Sequence, residues 1–454
     1  MRHKCATCLA LTLGLLAARV SLAQDLETSR SSATGTALGG TEVVAAAEAD
    51  TLWANPAGLT RAGWNLVASL SLQNTQRSVF RLSPQVNEPL PEARDLAGTQ
   101  LAPALALALP LGKTGAHVGL GYHTGLLLAS TYLTGGEPSP VRYIGSEMTL
   151  RQHVISVGFG LRWRWIAVGL ALQISHLRMQ HGRALWAGLE ADSDRLQEAE
   201  LDLTAAFSGQ NTLSLLGLFG LRARPLRWLA LGLAFRPPVD MTLRGKLELS
   251  PPSSTPRGYS ALAPEGGPAR LDLGLPLELH LGASLILRRL RLHLEARHQR
   301  WSATRDPVLD LKSAAIVLTD SSKKQSSWPL EQLPLALRPQ DHTSFHLGLE
   351  LPRLVGLLTA RLGYAYHLGG TAADAPGSTL LDLDRHVLGL GLEARRGALR
   401  VAIAVQHSFR SELEADGGQA LLYNPLDPEV TEVVGQGRFA SASTRVVVEL
   451  GLGW

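Results

Sequence analysis

Four ionisable side chains alternate with leucine or alanine in the segment from residue 289 to residue 300. They are Arg291, His293, Glu295 and Arg297. Successive side chains of a β-strand point to opposite faces, so these four would share one face. A guanidinium group can hold a carboxylate by charge-assisted hydrogen bonds, which makes Arg291 and Arg297 candidates to bind the carboxylate of a ligand. The alternative is that both arginines pair with acids of the same protein, such as Glu278 or Glu350.

Two glycine-containing segments resemble nucleotide-binding motifs without completing them. Leu111-Gly112-Lys113-Thr114 ends like a phosphate-binding loop, but Leu107 stands where that motif requires glycine. Gly119, Gly121 and Gly125 miss the dinucleotide-binding spacing by one residue. Neither segment predicts a cofactor site.

Hydrolytic and metal chemistry are equally poorly supported. His293 and Glu295 would share a face of a strand while His298 points the other way, so no metal site is predicted. The sequence contains no Gly-x-Ser-x-Gly motif for a serine nucleophile. We therefore expect neither an enzyme nor a bound cofactor or metal.

The first 23 residues predict a secretory signal peptide. Residues 1–4 are basic, residues 6–18 are apolar, and Ser21-Leu22-Ala23 offers small residues for cleavage. The alternative is a membrane helix, but the apolar run is shorter than the ~20 residues that a span needs. Both cysteines of the chain, Cys5 and Cys8, lie in this segment. The mature chain would then have no thiol for a disulfide, a metal or a nucleophile, and would be exported to the periplasm, the outer membrane or the medium.

The composition of the 454-residue chain excludes two classes of protein. Lys and Arg number 43 against 39 Asp and Glu, which gives a formal net charge of +4 without any basic block. Nucleic-acid binding is therefore not predicted. Hydrophobic residues make up 45% of the chain and charged residues 18%, whereas a disordered chain has low hydrophobicity and high net charge.

The mature sequence alternates between apolar and polar residues with a period of two. Leucine occupies every odd position from Leu271 to Leu281, and a strand would place all six leucines on one face. The same alternation recurs at 289–297, 388–393 and 446–454. No mature segment offers 18 apolar residues free of charge and proline, so membrane helices are not predicted.

The spacing of these strands predicts a fourteen-stranded transmembrane antiparallel β-barrel, an all-β fold, over residues 63–454. The strands are long enough to cross a membrane when tilted, and the connections between them alternate between short turns and long polar loops. Leu201–Phe207 also alternates, but a fifteenth strand would put the termini on opposite sides, so it is assigned to the loop before residue 211. Trp454 supplies an aromatic end. The predicted strands are 64–80, 99–110, 115–128, 148–161, 165–179, 211–223, 228–246, 270–287, 289–300, 343–351, 357–367, 385–394, 398–410 and 438–454.

Residues 24–62 lack the period of two and are rich in small residues. A flexible tail is one interpretation. The apolar residues Val43, Val44, Leu52 and Trp53 would be unfavourable in water, which favours a folded plug, or hatch, inside the barrel mouth. Asn55-Pro56-Ala57 would anchor it, because proline fixes φ and the asparagine side chain can cap the turn.

Four segments resemble, in order along the chain, the FadL/OMPP1/TodX family of outer-membrane transporters for long-chain fatty acids and other hydrophobic compounds. The segments are Asn55 to Leu59; Leu231 to Pro238 followed by Gly245; Leu275-Pro276, Leu281-Gly282 and Trp301-Ser302; and Asp382 to His386. The resemblance implies a monomeric barrel with an N-terminal hatch in the outer membrane of a Gram-negative bacterium. It also implies passive transport of hydrophobic small molecules, with long-chain fatty acids as the expected substrates. The alternative is an interaction barrel that anchors other proteins, like the related shuttle of one secretion system.

The resemblance also implies contacts with outer-membrane lipid, lipopolysaccharide and the barrel-assembly machinery, and a kinked third strand that opens sideways. A hydrophobic solute leaves more easily into the membrane than into water, and lateral release needs a break in one strand ladder. Glycines mark such breaks, and Gly119, Gly121 and Gly125 lie in the third strand. We therefore expect missing ladder hydrogen bonds between Gly119 and Gly125.

Overall fold

The computed structural model describes residues 32–82, 89–132, 138–335 and 340–453. The signal peptide predicted over residues 1–23 and the C-terminal Trp454 lie outside these ranges. Within them, no helix combines the length and the apolar character that crossing a membrane requires.

Fourteen antiparallel strands form a closed barrel, which confirms the predicted fold. Each strand pairs with its neighbours along the chain, and β1 pairs with β14 from Asn65–Gly453 to Arg81–Gly437, which closes the sheet. The five strands from β6 to β10 each consist of two segments, and the other nine strands are single runs. The strands are β1 Asn65–Arg81, β2 Gln100–Pro110, β3 Ala116–Thr131, β4 Glu147–Trp163, β5 Ile166–Trp186, β6 Asp202–Gln210 with Ser214–Leu226, β7 Leu229–Arg236 with Val239–Ser250, β8 Gly267–Leu275 with Leu277–Ile286, β9 Arg291–Arg300 with Val308–Leu311, β10 Gln332–Pro334 with His342–Val355, β11 Leu358–Leu368, β12 Arg385–Arg396, β13 Leu399–Ala415 and β14 Gly437–Gly453.

Short turns and long loops alternate around the barrel, as predicted. Short turns join β2 to β3, β4 to β5, β6 to β7, β8 to β9, β10 to β11 and β12 to β13. The longer connections lie at the opposite end, where Tyr259–Glu265, Ala315–Asp320 and Gln325–Pro329 form a separate three-stranded sheet. Short turns on one side and long loops on the other are typical of outer-membrane barrels, whose short turns face the periplasm.

The segment around Leu201–Phe207 was expected to be loop, and this prediction is wrong. Asp202–Gln210 is a strand that pairs with β5 on one side and with β7 on the other. Ser214–Leu226 then continues beside β5 at the same position in the wall. The two segments stack end to end as β6, so the extra strand lengthens the wall without changing the number of strands.

The six alternating leucines of β8 do not share one face, contrary to the prediction. Leu271 is completely buried in the lumen, whereas Leu281 is 48% exposed on the outside. The ladder is interrupted at Pro276, which has no N–H to donate. Before Pro276 the odd-numbered side chains point into the lumen, and after it the even-numbered side chains do. Because of this change, leucines line the lumen in the half of the barrel near the long loops.

The outer surface of the barrel is apolar and ends in tryptophans at the short turns. Along β4 the outward side chains Val157, Phe159 and Leu161 are exposed, and Trp163 follows at the turn. Trp64, Trp165 and Trp228 are also exposed at this end of the barrel. Tryptophan prefers the boundary between lipid and water, so these rings place the edge of the membrane close to the short turns.

Candidate functional site

The hatch, which the structure describes from residue 32 to residue 62, is folded inside the lumen. It contains α1 Ala33–Ala37, α2 Thr51–Ala54, a 3₁₀ turn at Pro56–Gly58 and α3 Leu59–Ala62. The apolar residues Val43, Leu52 and Leu59 of the hatch pack against wall residues such as Ala104 and Leu218. This burial explains why the segment, which lacks the period of two, is not a loose tail.

The Asn55-Pro56-Ala57 turn fastens the hatch through the asparagine side chain. The Asn55 carboxamide oxygen accepts a hydrogen bond from the Ala57 N–H at 3.1 Å, and its nitrogen donates to the Val43 carbonyl at 2.8 Å. The same nitrogen donates to the carbonyl of Leu221 in β6 at 3.2 Å. One side chain therefore caps the turn, closes the hatch on itself and joins it to the wall.

We expect Asn55→Ala to loosen the hatch without unfolding the barrel. The substitution leaves the Val43 and Leu221 carbonyls without this donor, which should weaken docking by about 1–3 kcal/mol. Limited trypsin digestion at the exposed Arg61 measures the effect, and cleavage should accelerate. Asn74→Ala, which removes a half-buried side chain of β1 that bonds Thr99 and does not contact the hatch through a hydrogen bond, is the matched control. Equal cleavage rates for both variants would contradict an anchoring role of Asn55.

Glycines of the wall make room for the hatch. A Cβ atom on Gly169 would lie 2.2 Å from the Ala57 nitrogen, and one on Gly220 would lie 2.1 Å from the Asn55 carboxamide oxygen. A Cβ atom on Gly121 would lie 3.0 Å from the Trp53 ring. Other wall glycines approach the hatch in the same way: Gly119, Gly158, Gly160, Gly232, Gly282, Gly348, Gly363, Gly389 and Gly391. The glycine content of these strands thus reflects close contact with the hatch.

Gly119 and Gly121 do not break the ladder of β3, contrary to the prediction. Gly119 pairs with Ala108 of β2 and with Gly158 of β4. Gly121 likewise has a ladder partner on both sides. Their role in this structure is to receive hatch side chains, because they face the lumen where Leu52 and Leu59 pack.

The ladder of β3 is instead incomplete from Thr124 onwards. On the β4 side the register shifts between Thr124 and Leu127, so Gly125 lies within a bulge. On the β2 side regular pairing ends at Ala104–His123, and the structure describes no ladder pair between β2 and residues 124–130. The next backbone bond on that side is donated by Leu96 to the Thr131 carbonyl at 2.8 Å. The wall is therefore incompletely hydrogen-bonded between β2 and β3, in the half near the long loops.

Gln152 of β4 holds the bulge of β3 in place. Its side-chain oxygen accepts a hydrogen bond from the Leu126 N–H at 3.0 Å, and its nitrogen donates to the Ser175 hydroxyl at 2.8 Å. A cavity of about 20 Å³ adjoins this point. Its lining includes His123, Gly125, Leu126, Gln152, Leu216 and Trp301. A volume of that size accommodates roughly one water molecule, so a larger solute must displace the surrounding side chains.

An apolar cluster connects this cavity to the long loops. It begins with Leu126 and Leu216 beside the cavity and continues with residues from β4 to β10. Its lumenal members include Leu150, Leu177, Met179, Phe207, Met241, Leu243, Leu247, Leu271, Leu309 and Leu333. Leucine and methionine side chains are flexible and apolar, which suits a path that opens around a hydrophobic molecule.

At the long-loop end lies a pocket of about 320 Å³, which we call the loop pocket. It is lined by Tyr143, Ile144, Arg183, Pro334, Leu335, Ala375, residues 419–424, Pro428 and Thr431. Arg183 is 4% exposed, donates to the Pro334 carbonyl at 2.9 Å and lies over the Tyr423 ring at 5.5 Å. The described residues place no carboxylate within ion-pair distance of Arg183. The pocket therefore combines apolar walls with one buried cation.

Arg291 and Arg297, the two arginines selected from the sequence, are both paired with acids of the wall. Arg291 donates to Glu350 at 2.6 Å, and Arg297 donates to Glu295 at 2.5 Å and to the Gly40 carbonyl of the hatch. This arrangement is the alternative that the sequence left open. His293, Glu295 and Arg297 do face the lumen, as predicted, because each is about 95% buried while Leu294 is exposed.

Acids of the wall hold the hatch by its backbone. Glu295 accepts hydrogen bonds from the N–H groups of Glu42 and Val43 at 2.6 and 2.9 Å. Glu449 accepts one from Ala33 at 2.8 Å and pairs with Arg400. Charge-assisted hydrogen bonds of this kind are stronger than neutral ones. The charged lumenal residues near the short turns thus act as fastenings for the hatch.

Asp50 of the hatch lies in this charged region. Burial raises the pKa of the Asp50 carboxyl above its ordinary value, and the neighbouring Glu449 carboxylate contributes in the same direction. The described residues contain no group of three or more His, Cys, Asp or Glu that could hold a metal ion.

The sequence profile described as outer membrane protein transport protein (OMPP1/FadL/TodX) matches residues 15–407. The chain belongs to this family. Members of the FadL/TodX family reside in the outer membrane of Gram-negative bacteria and transport hydrophobic compounds, and this barrel shares that location and general role. The resemblance found in the sequence is confirmed. The curated proteins include no sequence that matches the chain.

Solved structures of FadL-family proteins share the fold of the whole chain. A FadL homologue of Pseudomonas aeruginosa superposes with a TM-score of 0.70 at 14% identity, over 95% of this chain and 99% of that one. The toluene transporter TodX of Pseudomonas putida gives 0.66 at 18% identity, over 96% and 100%. The toluene transporter TbuX of Ralstonia pickettii gives 0.62 at 15% identity, over 93% and 98%.

Sequence reasoning missed two residues of the site, Gln152 and Arg183. Gln152 is a buried polar side chain at an inward position of β4, between the buried Leu150 and Val154. A polar residue between two apolar residues on the same face of the strand was the signal that the sequence offered. Arg183 had no comparable signal, because the pocket around it is assembled from loops that are far apart in sequence.

Proposed function

We propose that this FadL-family barrel conducts hydrophobic compounds passively from the long-loop side into the membrane, with exit between β2 and β3. The observation that carries the proposal is the incomplete ladder at residues 124–130, beside the cavity at Gln152. Breaking a regular ladder would leave backbone N–H and C=O groups unpaired in an apolar medium, which is costly. A solute that crosses the wall at residues 124–130 does not have to break a regular ladder. The proposal assigns no chemical reaction to the protein.

The loop pocket is the proposed site of capture. Its volume of about 320 Å³ lies within the range of small-molecule sites, roughly 300–1,000 Å³. Leu335 lines the pocket and also belongs to the apolar cluster that reaches Leu126. A captured molecule would therefore meet apolar side chains from the loops to the bulge. The hatch and its charged fastenings would block the direct route towards the short turns.

We propose long-chain fatty acids as substrates, as expected from the sequence, with Arg183 as the partner of their carboxylate. The proposal replaces Arg291 and Arg297 in this role, because their guanidinium groups are paired with Glu350 and Glu295. A neutral compound would use the same apolar path without needing a cation. The two related toluene transporters carry a neutral compound by their names.

Arg183→Gln tests the carboxylate role. We expect the half-saturating concentration for uptake of a labelled fatty acid by proteoliposomes to rise on the order of tenfold, since a hydrogen bond to a charged group contributes about 1.5–3 kcal/mol. Uptake of labelled toluene should not change. Arg178→Gln, which alters an exposed residue on the outer face of β5, is the matched control, and Arg291→Ala with Arg297→Ala is the comparison.

Three results would count against these assignments. Equal fatty-acid uptake by Arg183→Gln and Arg178→Gln would remove the carboxylate role of Arg183. A selective loss in the Arg291/Arg297 variant would restore the assignment made from the sequence. The absence of any uptake, together with a protein that co-purifies with the barrel in place of hydrophobic ligand, would favour the interaction barrel.

A further inference from the structure

The six short turns form a strongly cationic rim. The turns and the strand ends beside them contain ten exposed Lys and Arg residues and no exposed Asp or Glu. The ten, which we call the short-turn rim, are Lys113, Arg162, Arg164, Arg224, Arg227, Arg288, Arg289, Arg353, Arg395 and Arg396. The acids near this end, such as Glu350, Glu393 and Glu449, are buried in the lumen and paired with lumenal arginines. Among the rim residues, Arg395 also pairs with acids, namely Glu48 of the hatch and Glu393. Since the chain as a whole is nearly balanced, the rim is a local excess of positive charge.

The rim is held at the level of lipid head groups. Along β4 the exposed apolar side chains end with Leu161, and Trp163 follows with 68% of its surface exposed. Arg164 comes one residue later, and its guanidinium lies over the Trp163 ring at 5.2 Å. One residue of a strand advances about 3.3 Å, so the arginine extends just beyond the apolar boundary that the tryptophan marks. Trp165 and Trp228 are placed in the same way beside Arg164 and Arg227.

We propose that the short-turn rim binds the phosphodiester head groups of anionic phospholipids, such as phosphatidylglycerol and cardiolipin, in the periplasmic leaflet. Guanidinium groups bind phosphate oxygens in a bidentate manner, and clustered Lys and Arg at a membrane surface attract anionic lipids. The tryptophan rings lie at the boundary between lipid and water and place the arginines beside them at the level of the head groups. The anion that the rim meets there is therefore a lipid head group and not a soluble ion. The proposal goes beyond the transport of hydrophobic compounds and does not depend on it.

Native mass spectrometry of the full mature barrel provides the test. The protein is equilibrated in mixed micelles with equal amounts of phosphatidylethanolamine and phosphatidylglycerol, and the lipids retained on it are counted. We expect a preference for phosphatidylglycerol on the order of tenfold at low ionic strength, which decreases as salt is added because exposed charges are screened. The salt series requires no variant, so it tests the proposal even if a variant fails to fold.

Matched variants locate the preference. Replacing Arg162, Arg164, Arg224 and Arg227 by Gln removes four of the ten rim charges and should reduce the preference several-fold, with the barrel still folded by heat-modifiability on gels. Replacing Lys246, Lys312, Lys323 and Lys324 by Gln removes the same charge from exposed positions at the opposite end and should leave the preference intact. These eight substitutions avoid the loop pocket, the bulge of β3 and the hatch.

The outcomes separate the possible partners. No preference in the unaltered protein, or an equal preference in both variants, would overturn the proposal. If an equal amount of glycerol phosphate displaced the lipid, the rim would be a site for free phosphate, and the proposal of lipid binding would be wrong. Preferential binding of peptidoglycan fragments or of an acidic periplasmic protein to the rim, in competition with phosphatidylglycerol, would also overturn it.

Discussion

Deletion of residues 25–60 is expected to convert the protein into an open pore. A barrel of fourteen strands is wider than the eight-stranded barrels whose lumen wall side chains can fill, so the hatch must occlude the remaining space. The wall should survive the deletion, because the ladder that closes the barrel between β1 and β14 involves no hatch residue. The acids freed by the deletion, Glu295 and Glu449, would face water and need no other partner.

Single-channel conductance in planar bilayers measures this effect. The unaltered protein should show little ion conductance, whereas the shortened protein should show steady open-channel currents. Gly220→Val provides a full-length comparison, because its side chain would overlap the Asn55 carboxamide and displace the hatch. Gly217→Val in the same strand is the matched control, since a Cβ there lies 3.7 Å from its nearest neighbour. Unchanged conductance and uptake after the deletion would show that the segment is only a tail.

Deletion of Gly125 is expected to abolish uptake while preserving the barrel. The segment Thr124 to Leu127 has one residue more than the opposing stretch of β4, and this extra residue produces the bulge. A bulge bends its strand, so removing the residue should straighten β3 and bring residues 126–130 towards β2. The cavity beside Gln152 would lose its lining from the bulge, and the proposed exit would close.

Uptake by proteoliposomes of a labelled fatty acid and of toluene measures the consequence, and both should fall close to the level of empty vesicles. The control is deletion of Arg410, which removes a bulge of the same kind from β13, where the register shifts between Ser408 and Ser411. That bulge contributes no residue to the apolar cluster, so uptake should persist. Undiminished uptake after deletion of Gly125 would rule out exit at this bulge.

The number and direction of the wall strands were determined by the sequence. Alternation with a period of two is a property of consecutive residues, and the alternating loop lengths are visible along the chain, so fourteen strands could be counted directly. The Asn55-Pro56-Ala57 turn was also predictable, because the cap joins atoms only two residues apart. That His293, Glu295 and Arg297 share one face follows from the same local periodicity, and their charge favours the lumen over lipid for that face.

The tertiary structure alone decided which face each segment presents and which distant groups meet. Pro276 reverses the parity of β8, so leucines expected on one face are divided between lumen and lipid. Gly119 and Gly121 were expected to weaken a strand, but they receive the side chains of a hatch more than fifty residues away in sequence. Alternation defines two faces without saying which is inside, and an interruption of one residue exchanges them. Contacts between hatch, loops and wall depend on register and closure, which no short stretch of sequence contains.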